Sequence, residues 1–579
     1  MRLRIQRTQN DAHYYAIQST YANGKHSSKV IMKLGLESEL RKEHEDPEAW
    51  AKAYLAELTR KEKEEGAAIR IDLHPFAQIP LDEQRTWHGG YLFLQQIYTN
   101  LGLDHICKQI SKRHEFEYDL NSILSRLIYG RILQPGSKRS TVEFSKELLE
   151  KPNFTQHQVY RALSVLAAEA DFIQASVYKN SKRFSPRNDE RLYYDCTNYY
   201  FEIEMEDGDR QYGHSKENRP NPIIQMGLMM DADGIPLAYC IHPGNTNEQT
   251  TLKPLEKQIF EDFQHREFVL CTDAGLSSAA NRAFNSVGGR RFITVQSLKQ
   301  LPQPLQQWAL SPYDWRLPGE TGKFNLDKIL NSEELYCKYH DASFYKEQQY
   351  ILKGIPQRFI VTFSIRYFEY LRTLRARQIK RAEKLIENPS SLDANRPTDC
   401  KRFVQQSFLT EDGEIAGSRQ VILDTERITE EERFDGFYAV ATNLTDGVEK
   451  IISINRRRWE IEECFRIMKH EFKARPVYLQ RQERIHAHFL TCFLALTVYR
   501  YLEKALQCRF TTEQITSTLR SMQFHEITGS GYIPCYKRTA VTDALHEVFG
   551  FHTDSSILPP SAMKKIFSKT KKPAPLLKI

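Results

Sequence analysis

"ERLYYDCTNYYFEIE", residues Glu190–Glu204, decides how the chain is to be read. The hundred residues before it carry a helical period. This stretch is instead dense in aromatic and β-branched side chains, which predicts a strand. Asp195 lies at its centre, between tyrosine and cysteine. A carboxylate in an apolar strand is costly to bury without a partner, so Asp195 has little structural use there and becomes a candidate ligand.

The next hundred residues build a sheet around that strand. "NPIIQMGLMMDADGIPLAYCIHPGN" (Asn221–Asn245) predicts strand, Asp-Gly turn, strand. The acids of that turn, Asp231 and Asp233, are read as turn residues. "TTLKPLEKQIFEDF" (Thr250–Phe263) predicts a helix. "EFVLCTDAGLSSAANRAF" (Glu267–Phe284) predicts a short strand ending at Asp273, then a helix, and "RRFITVQSL" (Arg290–Leu298) a further strand. Three strands, helix, strand, helix, strand is the order of a mixed α/β sheet with helices packed on it. Asp273 falls at the carboxyl end of its strand, where such sheets place ligands. An N-cap or turn role for Asp273 stays open.

Before the sheet, "YYAIQSTYANGKHSSKVIMKLG" (Tyr14–Gly35) alternates around Asn23-Gly24 and predicts a hairpin. The charged helix "DPEAWAKAYLAELTRKEKEE" (Asp46–Glu65) follows it. "DLNSILSRLIYGRILQPGSKRSTVEFSKELL" (Asp119–Leu149) reads as helix, Pro-Gly break, helix, with Lys138 and Arg139 at the turn. A helical region with basic turns suits DNA reading, and a plain helical bundle fits the pattern as well. After the sheet, "RRRWEIEECFRIMKHEF" (Arg456–Phe472) predicts one helix. At 100° per residue, Ile461, Phe465, Met468 and Phe472 form its buried stripe. Arg458, Glu462 and Lys469 form a second stripe beside it. Glu462 is then either a ligand at the rim of a buried face or half of an i,i+4 salt bridge.

Bulk properties narrow the class. The 579 residues are 40% hydrophobic and 27% charged with net charge +7, which predicts a soluble chain of several domains. Basic clusters stand at Leu371–Lys384, at Arg456–Arg458 and at Lys564–Lys572. Such clusters are the usual footprint of phosphate binding, or else solvated helix faces. Ten cysteines without a CxxC pair read as reduced thiols, and no phosphate-binding GxxxxGK loop occurs. "FLTCFLALTVY" (Phe489–Tyr499) is too short to span a bilayer and reads as a buried helix, so no membrane partner is expected. His486 and His488 read as packing or surface residues.

Two aspartates and a glutamate that converge suit divalent cations and phosphodiester chemistry. On these residues the chain resembles the DDE transposases of bacterial insertion sequences, in the branch marked by Y-x2-R-x3-E-x6-K. Arg458, Glu462 and Lys469 match that signature, and Asn455 stands where the family has tyrosine. "YYDCTNYYFE" (Tyr193–Glu202), "GHSKENRPNPIIQMG" (Gly213–Gly227), "CTDAG" (Cys271–Gly275) and "ARPVYLQRQERIHAHF" (Ala474–Phe489) also resemble it.

The resemblance implies catalytic and metal-binding roles for Asp195, Asp273 and Glu462. It implies DNA contacts at Arg458, Lys469 and position 455, alongside Lys138 and Arg139 from the basic turn. It also implies two Mg²⁺ ions with Mn²⁺ able to substitute, cutting of inverted-repeat ends, joining to target DNA, a homodimer in the synaptic complex, and a bacterial cytoplasmic setting. The expected fold is an RNase H-like mixed sheet interrupted by a strand-rich insertion. The expected divisions are 1–85 (hairpin and helix), 86–185 (helical DNA-binding domain), 186–300 (core, first part), 301–435 (insertion), 436–475 (core with the Glu462 helix) and 476–579 (C-terminal helical region). Another RNase H-like nuclease and a catalytically silent DNA-binding regulator stay open as alternatives.

Overall fold

The computed structural model describes residues 2–8, 11–22, 25–64, 76, 78–387, 399–409 and 415–575. The chain divides into two compact units, Met1–Glu83 with Thr528–Ser530, and the remainder. In the first unit, strands Arg2–Arg7, Ala12–Ala22 and Lys25–Leu36 form an antiparallel sheet in chain order. Ala12, Tyr14, Leu40 and Ala51 form its small core, the last on helix Pro47–Glu64. The expected hairpin pairing is present, with Ala22 opposite Lys25, while the Asn23-Gly24 turn lies outside the described residues.

The second unit is built on an eight-stranded mixed sheet. Its strands are β1 (Arg191–Tyr200), β2 (Ile223–Asp231), β3 (Pro236–Pro243), β4 (Val269–Thr272), β5 (Arg291–Val295), β6 (Ser343–Leu352), β7 (Ile355–Ser364) and β8 (Phe437–Thr442). They lie in the order β6-β7-β8-β5-β4-β1-β2-β3. β1 pairs in parallel with β4, and β4 with β5; every other neighbouring pair is antiparallel. β2 is buried along its whole length, as its unbroken apolar run requires. Gly227 sits opposite Cys196 in that strand, and a Cβ there would overlap the Tyr194 hydroxyl.

β6 and β7 differ from expectation. Read as part of a separate insertion, they form the far edge of the central sheet, because β7 bonds along Arg358–Phe363 to the apolar β8. The segment between β7 and β8 leaves the sheet. It holds the basic helix Ile365–Glu387, paired strands Val404–Leu409 and Ile415–Leu423, and helix Thr425–Glu432. Ala382, Cys400 and Phe403 give it a small core of its own.

Helices cover the sheet. We number α1 (Leu120–Leu133), α2 (Lys138–Lys146), α3 (Gln156–Ala168), α4 (Glu248–Asp262), α5 (Val448–Arg456), α6 (Trp459–Arg466), α7 (Gln482–Ala505) and α8 (Ala540–Phe549). The Pro-Gly break works as read: Asp119 caps α1 by accepting from Ser122 N, and Ser137 caps α2 by accepting from Ser140 N. α7 carries the run Phe489–Tyr499, which is apolar all round because that part of the helix is buried on every side, against α1, α3 and β3. One continuous core therefore joins Ile97, Leu124 and Leu163 of the helical region to Tyr199 and Ile224 of the sheet and Leu490 and Leu496 of α7. No helix among the described residues is long and apolar enough to cross a membrane.

Candidate functional site

Parallel pairing places Asp195 and Asp273 side by side. Tyr193 on β1 is opposite Cys271 on β4, and each aspartate lies two residues further toward the carboxyl end of its strand. Adjacent strands run about 4.8 Å apart, so two carboxylates meet at one end of the sheet. Asp195 Oδ1 accepts from its neighbour's amide, Cys196 N, at 2.8 Å. Burial, with the charge of Asp273 added and Lys216 opposing, pushes its pKa up to about 6. Asp273 Oδ1 accepts from Leu276 N at 3.1 Å, so the turn role left open for it is also present. The Thr294 hydroxyl on β5 donates to the Asp273 carbonyl at 3.2 Å and ties the loop to the sheet.

Cations surround the pair. Lys216 Nζ donates to the Cys196 carbonyl at 2.6 Å and pairs with Glu248 at the start of α4 at 3.0 Å. Arg458 precedes α6, draws the Asp195 pKa downward, and pairs with Glu462 at 3.6 Å. Lys469 pairs with Glu217 at 3.2 Å and lies 5.5 Å from the centre of the Tyr199 ring. Burial and the charge of Lys216 lower its pKa to about 8, against the pull of Asp195. Arg475 also pairs with Glu217 and lies over Tyr200. Sequence reading missed Lys216, Glu217, Glu248 and Arg475. The signal for the first two was the dense charge of "GHSKENRP" between two apolar strands.

The stretch Arg456–Phe472 is not one helix. α5 ends at Arg456, a turn holds Arg457 and Arg458, and α6 begins at Trp459 and packs on β1. At Ile467–Glu471 the helix widens to a π-turn, in which Phe472 N donates to the Ile467 carbonyl at 2.9 Å. The apolar stripe is nonetheless buried as expected at Ile461, Phe465, Met468 and Phe472. The second stripe is not kept. Arg458 lies in the turn before α6, and Lys469, within the π-turn, pairs with Glu217. Glu462 is 61% exposed and pairs with Arg458, the i,i+4 arrangement left open for it. Its neighbour Glu460 is the buried acid of α6, paired with Arg457 and Arg500.

The three acids are not gathered as closely as ligands of one ion. Among the described residues, the set of three metal-ligand atoms within 4.8 Å of one another is His546, His552 and Asp554. Asp195 and Asp273 are adjacent, and Arg458 acts on Asp195 through its charge while pairing with Glu462. Two expected DNA contacts are corrected. Lys138 is only 4% exposed, because the first turn of α2 packs inward beside Arg131 and Cys492. Asn455 is 6% exposed and donates to Tyr438 Oη at 2.9 Å, so it bridges α5 to β8. Arg139 is exposed. His486 pairs with Asp209 at 2.7 Å, and His488 is buried against the Ala474 carbonyl at 2.9 Å. Asp231 is buried in the turn between β2 and β3, paired with Arg187 at 2.7 Å.

No curated protein matches this chain. Among solved structures it is similar to piggyBac transposase in a cryo-EM synaptic complex with hairpin DNA, at 6% identity and a TM-score of 0.34. That likeness covers 86% of this chain and 89% of that one, and is too loose to bear on the site. The family model of the transposase DDE domain matches residues 164–498, more than half of the 579 and a span that contains Asp195, Asp273 and Glu462. The chain belongs to the DDE transposase family, enzymes that cut and join DNA and generally use divalent metal ions.

Proposed function

We propose that this chain is the transposase of a bacterial insertion sequence, of the branch with the Y-R-E-K signature, and that Asp195 and Asp273 are its metal-binding pair. The observation that carries this reading is two carboxylates side by side on adjacent parallel strands, Asp195 mid-strand and Asp273 just past a strand end, inside a DDE domain. The strand order supports an RNase H-like core: β3-β2-β1-β4-β5, with the first three antiparallel and the last two parallel to β1.

The donor set fits a divalent cation at these two residues. Asp195 is half-buried, its carboxylate repels that of Asp273, and hard oxygen ligands suit Mg²⁺ or Mn²⁺. Divalent ions bound there supply Lewis-acid polarisation of the phosphodiester and neutralise charge on the leaving oxygen. Glu462 joins as third acid when Arg458 releases it. Arg458 is suited to exchange the carboxylate for a DNA phosphate, which its guanidinium grips with two parallel hydrogen bonds. Lys469 and Lys216 hold further phosphates beside the aspartates. The exposed basic face of Ile365–Glu387 and Arg139 are proposed as outer DNA contacts. The inverted-repeat ends are cut together in a homodimer, and the freed 3′ ends are joined to target DNA.

The test is a reaction of the full chain with a donor duplex carrying the element's two ends, a target plasmid and Mg²⁺. Joined donor–target product is expected. Cutting without joining would make the chain a nuclease, and binding without cutting a silent regulator.

A further inference from the structure

The C-terminal part of the second unit carries a group of side chains that the DNA chemistry does not use. α8 ends at Gly550, whose φ of 63° is left-handed and turns the chain back on itself. The returning residues Phe551–Asp554 bring His552 and Asp554 against His546, one turn before the end of α8. His552 Nδ1 lies 3.3 Å from Asp554 Oδ1, and His546 Nδ1 lies 3.6 Å from Asp554 Oδ2. One ligand atom from each of the three residues lies within 4.8 Å of the other two; ligand atoms about 2.0–2.1 Å from a tetrahedral Zn²⁺ stand roughly 3.3 Å apart, so a small inward shift gathers them on one ion.

A second observation points the same way. The His546 side chain is 1% exposed, and its Nδ1 is a buried polar atom without a hydrogen-bond partner. Such an atom is costly unless something fills its lone pair. Its other nitrogen is engaged. Thr553 N donates to Nε2 at 3.3 Å, Thr553 Oγ1 lies 2.9 Å from the same nitrogen, and Tyr536 Oη lies 2.7 Å from that threonine oxygen. An ion at Nδ1 requires the tautomer with the proton on Nε2, which then donates to Thr553 Oγ1 in exchange for the bond from Thr553 N. Metal-ligating histidines are usually fixed in this way by a partner on the far nitrogen. Arg538 is the competing cation. It is exposed, 3.9 Å from Asp554 but 2.6 Å from Asp543, and so is free to leave Asp554.

We propose that His546, His552 and Asp554 bind one Zn²⁺ or a similar borderline transition metal, with water in the position open beside exposed His552. The site is distinct in chemistry from the aspartate pair, since two imidazoles favour Zn²⁺ over Mg²⁺. It clips Phe551–Asp554 to α8.

The experiment adds Zn²⁺ to the metal-free full chain and reads stoichiometry by native mass spectrometry, affinity by calorimetry and Tm by scanning. Wild type with excess Mg²⁺ present to occupy the aspartate pair is expected to bind one Zn²⁺ and gain Tm on binding. His552→Ala removes an exposed ligand, so the chain stays folded. It is expected to weaken binding about a hundredfold and abolish the Tm gain. Asp554→Asn is expected to do the same. Co²⁺ in place of Zn²⁺ is expected to show ligand-field bands without a thiolate charge-transfer band. Absence of binding, equal affinity in His552→Ala, or a thiolate band would each overturn the assignment.

Discussion

Asp195 and Asp273 were legible one residue at a time. An acid at the centre of an apolar strand and an acid at a strand's carboxyl end are local patterns, and pairing of β1 with β4 brings them together. Lys216 and Glu217 were not legible, because their partners Glu248, Lys469 and Arg475 come from other parts of the chain. The cations beside Glu462 give a test at this scale. Arg458→Ala is expected to lose only a few tenths of a kcal/mol, the worth of an exposed i,i+4 pair. It should also lower the salt slope of end binding by about one counterion and reduce cleavage. Lys469→Ala leaves Glu217 paired with Arg475 and should show the same salt effect with the smaller loss of cleavage. A lowered Tm with unchanged slope and rate would return both residues to a purely structural role. Glu256 offers a pH test away from the site. Burial pushes its pKa up to about 8, against Asn285, Arg290 and Lys253 nearby. Its folded pKa lies above its unfolded one, so the folded state holds the proton more tightly. Its stabilising contribution is full below the unfolded value near 4.5 and is lost as pH rises toward 8. The slope approaches roughly 1.4 kcal/mol per pH unit within that window. Glu256→Gln should remove this fall in urea unfolding; an unchanged pH profile would contradict it.

Elements were read well where the signal was local and badly where it was not. Aromatic and β-branched density identified β1, the Asp-Gly turn between apolar runs identified β2 and β3, and the turn chemistry identified the break between α1 and α2. β6 and β7 were assigned to an insertion because strand pairing across seventy residues and more leaves no trace in local pattern; β7 meets β8 across the basic helix and its hairpin. The helix at Arg456–Phe472 failed differently. A constant 100° advance foresees neither the turn at Arg457–Arg458 nor the π-turn at Ile467–Glu471. The buried stripe survived because apolar packing decides it, whereas Lys469, within the π-turn, pairs with Glu217. The packing of β1 against β2 can be probed at Gly227. Gly227→Ala places a methyl on the Tyr194 hydroxyl and should cost about 1–3 kcal/mol. Tyr194→Phe in the same chain should recover part of that loss, as measured by Tm. A Gly227→Ala chain as stable as wild type would mean that the two strands are not packed this closely.

In the whole molecule, the helical region and the sheet are two sides of one core. Periodicity shows that a helix has an apolar face but not what covers that face. The expected DNA-binding module at 86–185 in fact covers α7 with α1 and α3, and its apolar residues are continuous with Leu490 and Leu496. A fragment ending at residue 185 would leave that face bare. It is expected to aggregate or to lack dispersed amide signals in NMR, whereas a soluble, cooperatively folded fragment would show that the helices have a sufficient core of their own. The same continuity seats α6 and the π-turn against the strand that carries Asp195, so the cations and the acids are positioned by one packed body.

The central claim is that the Asp195–Asp273 pair performs the metal-dependent step. The measurement that tests it most directly is Mg²⁺-dependent strand cleavage of an end duplex by the full-length Asp195→Asn and Asp273→Asn chains, with end binding measured on the same samples. Loss of the carboxylate charge at either residue is expected to abolish cleavage while the DNA is still bound. Cleavage near the wild-type rate by either variant, with binding intact, would contradict the account.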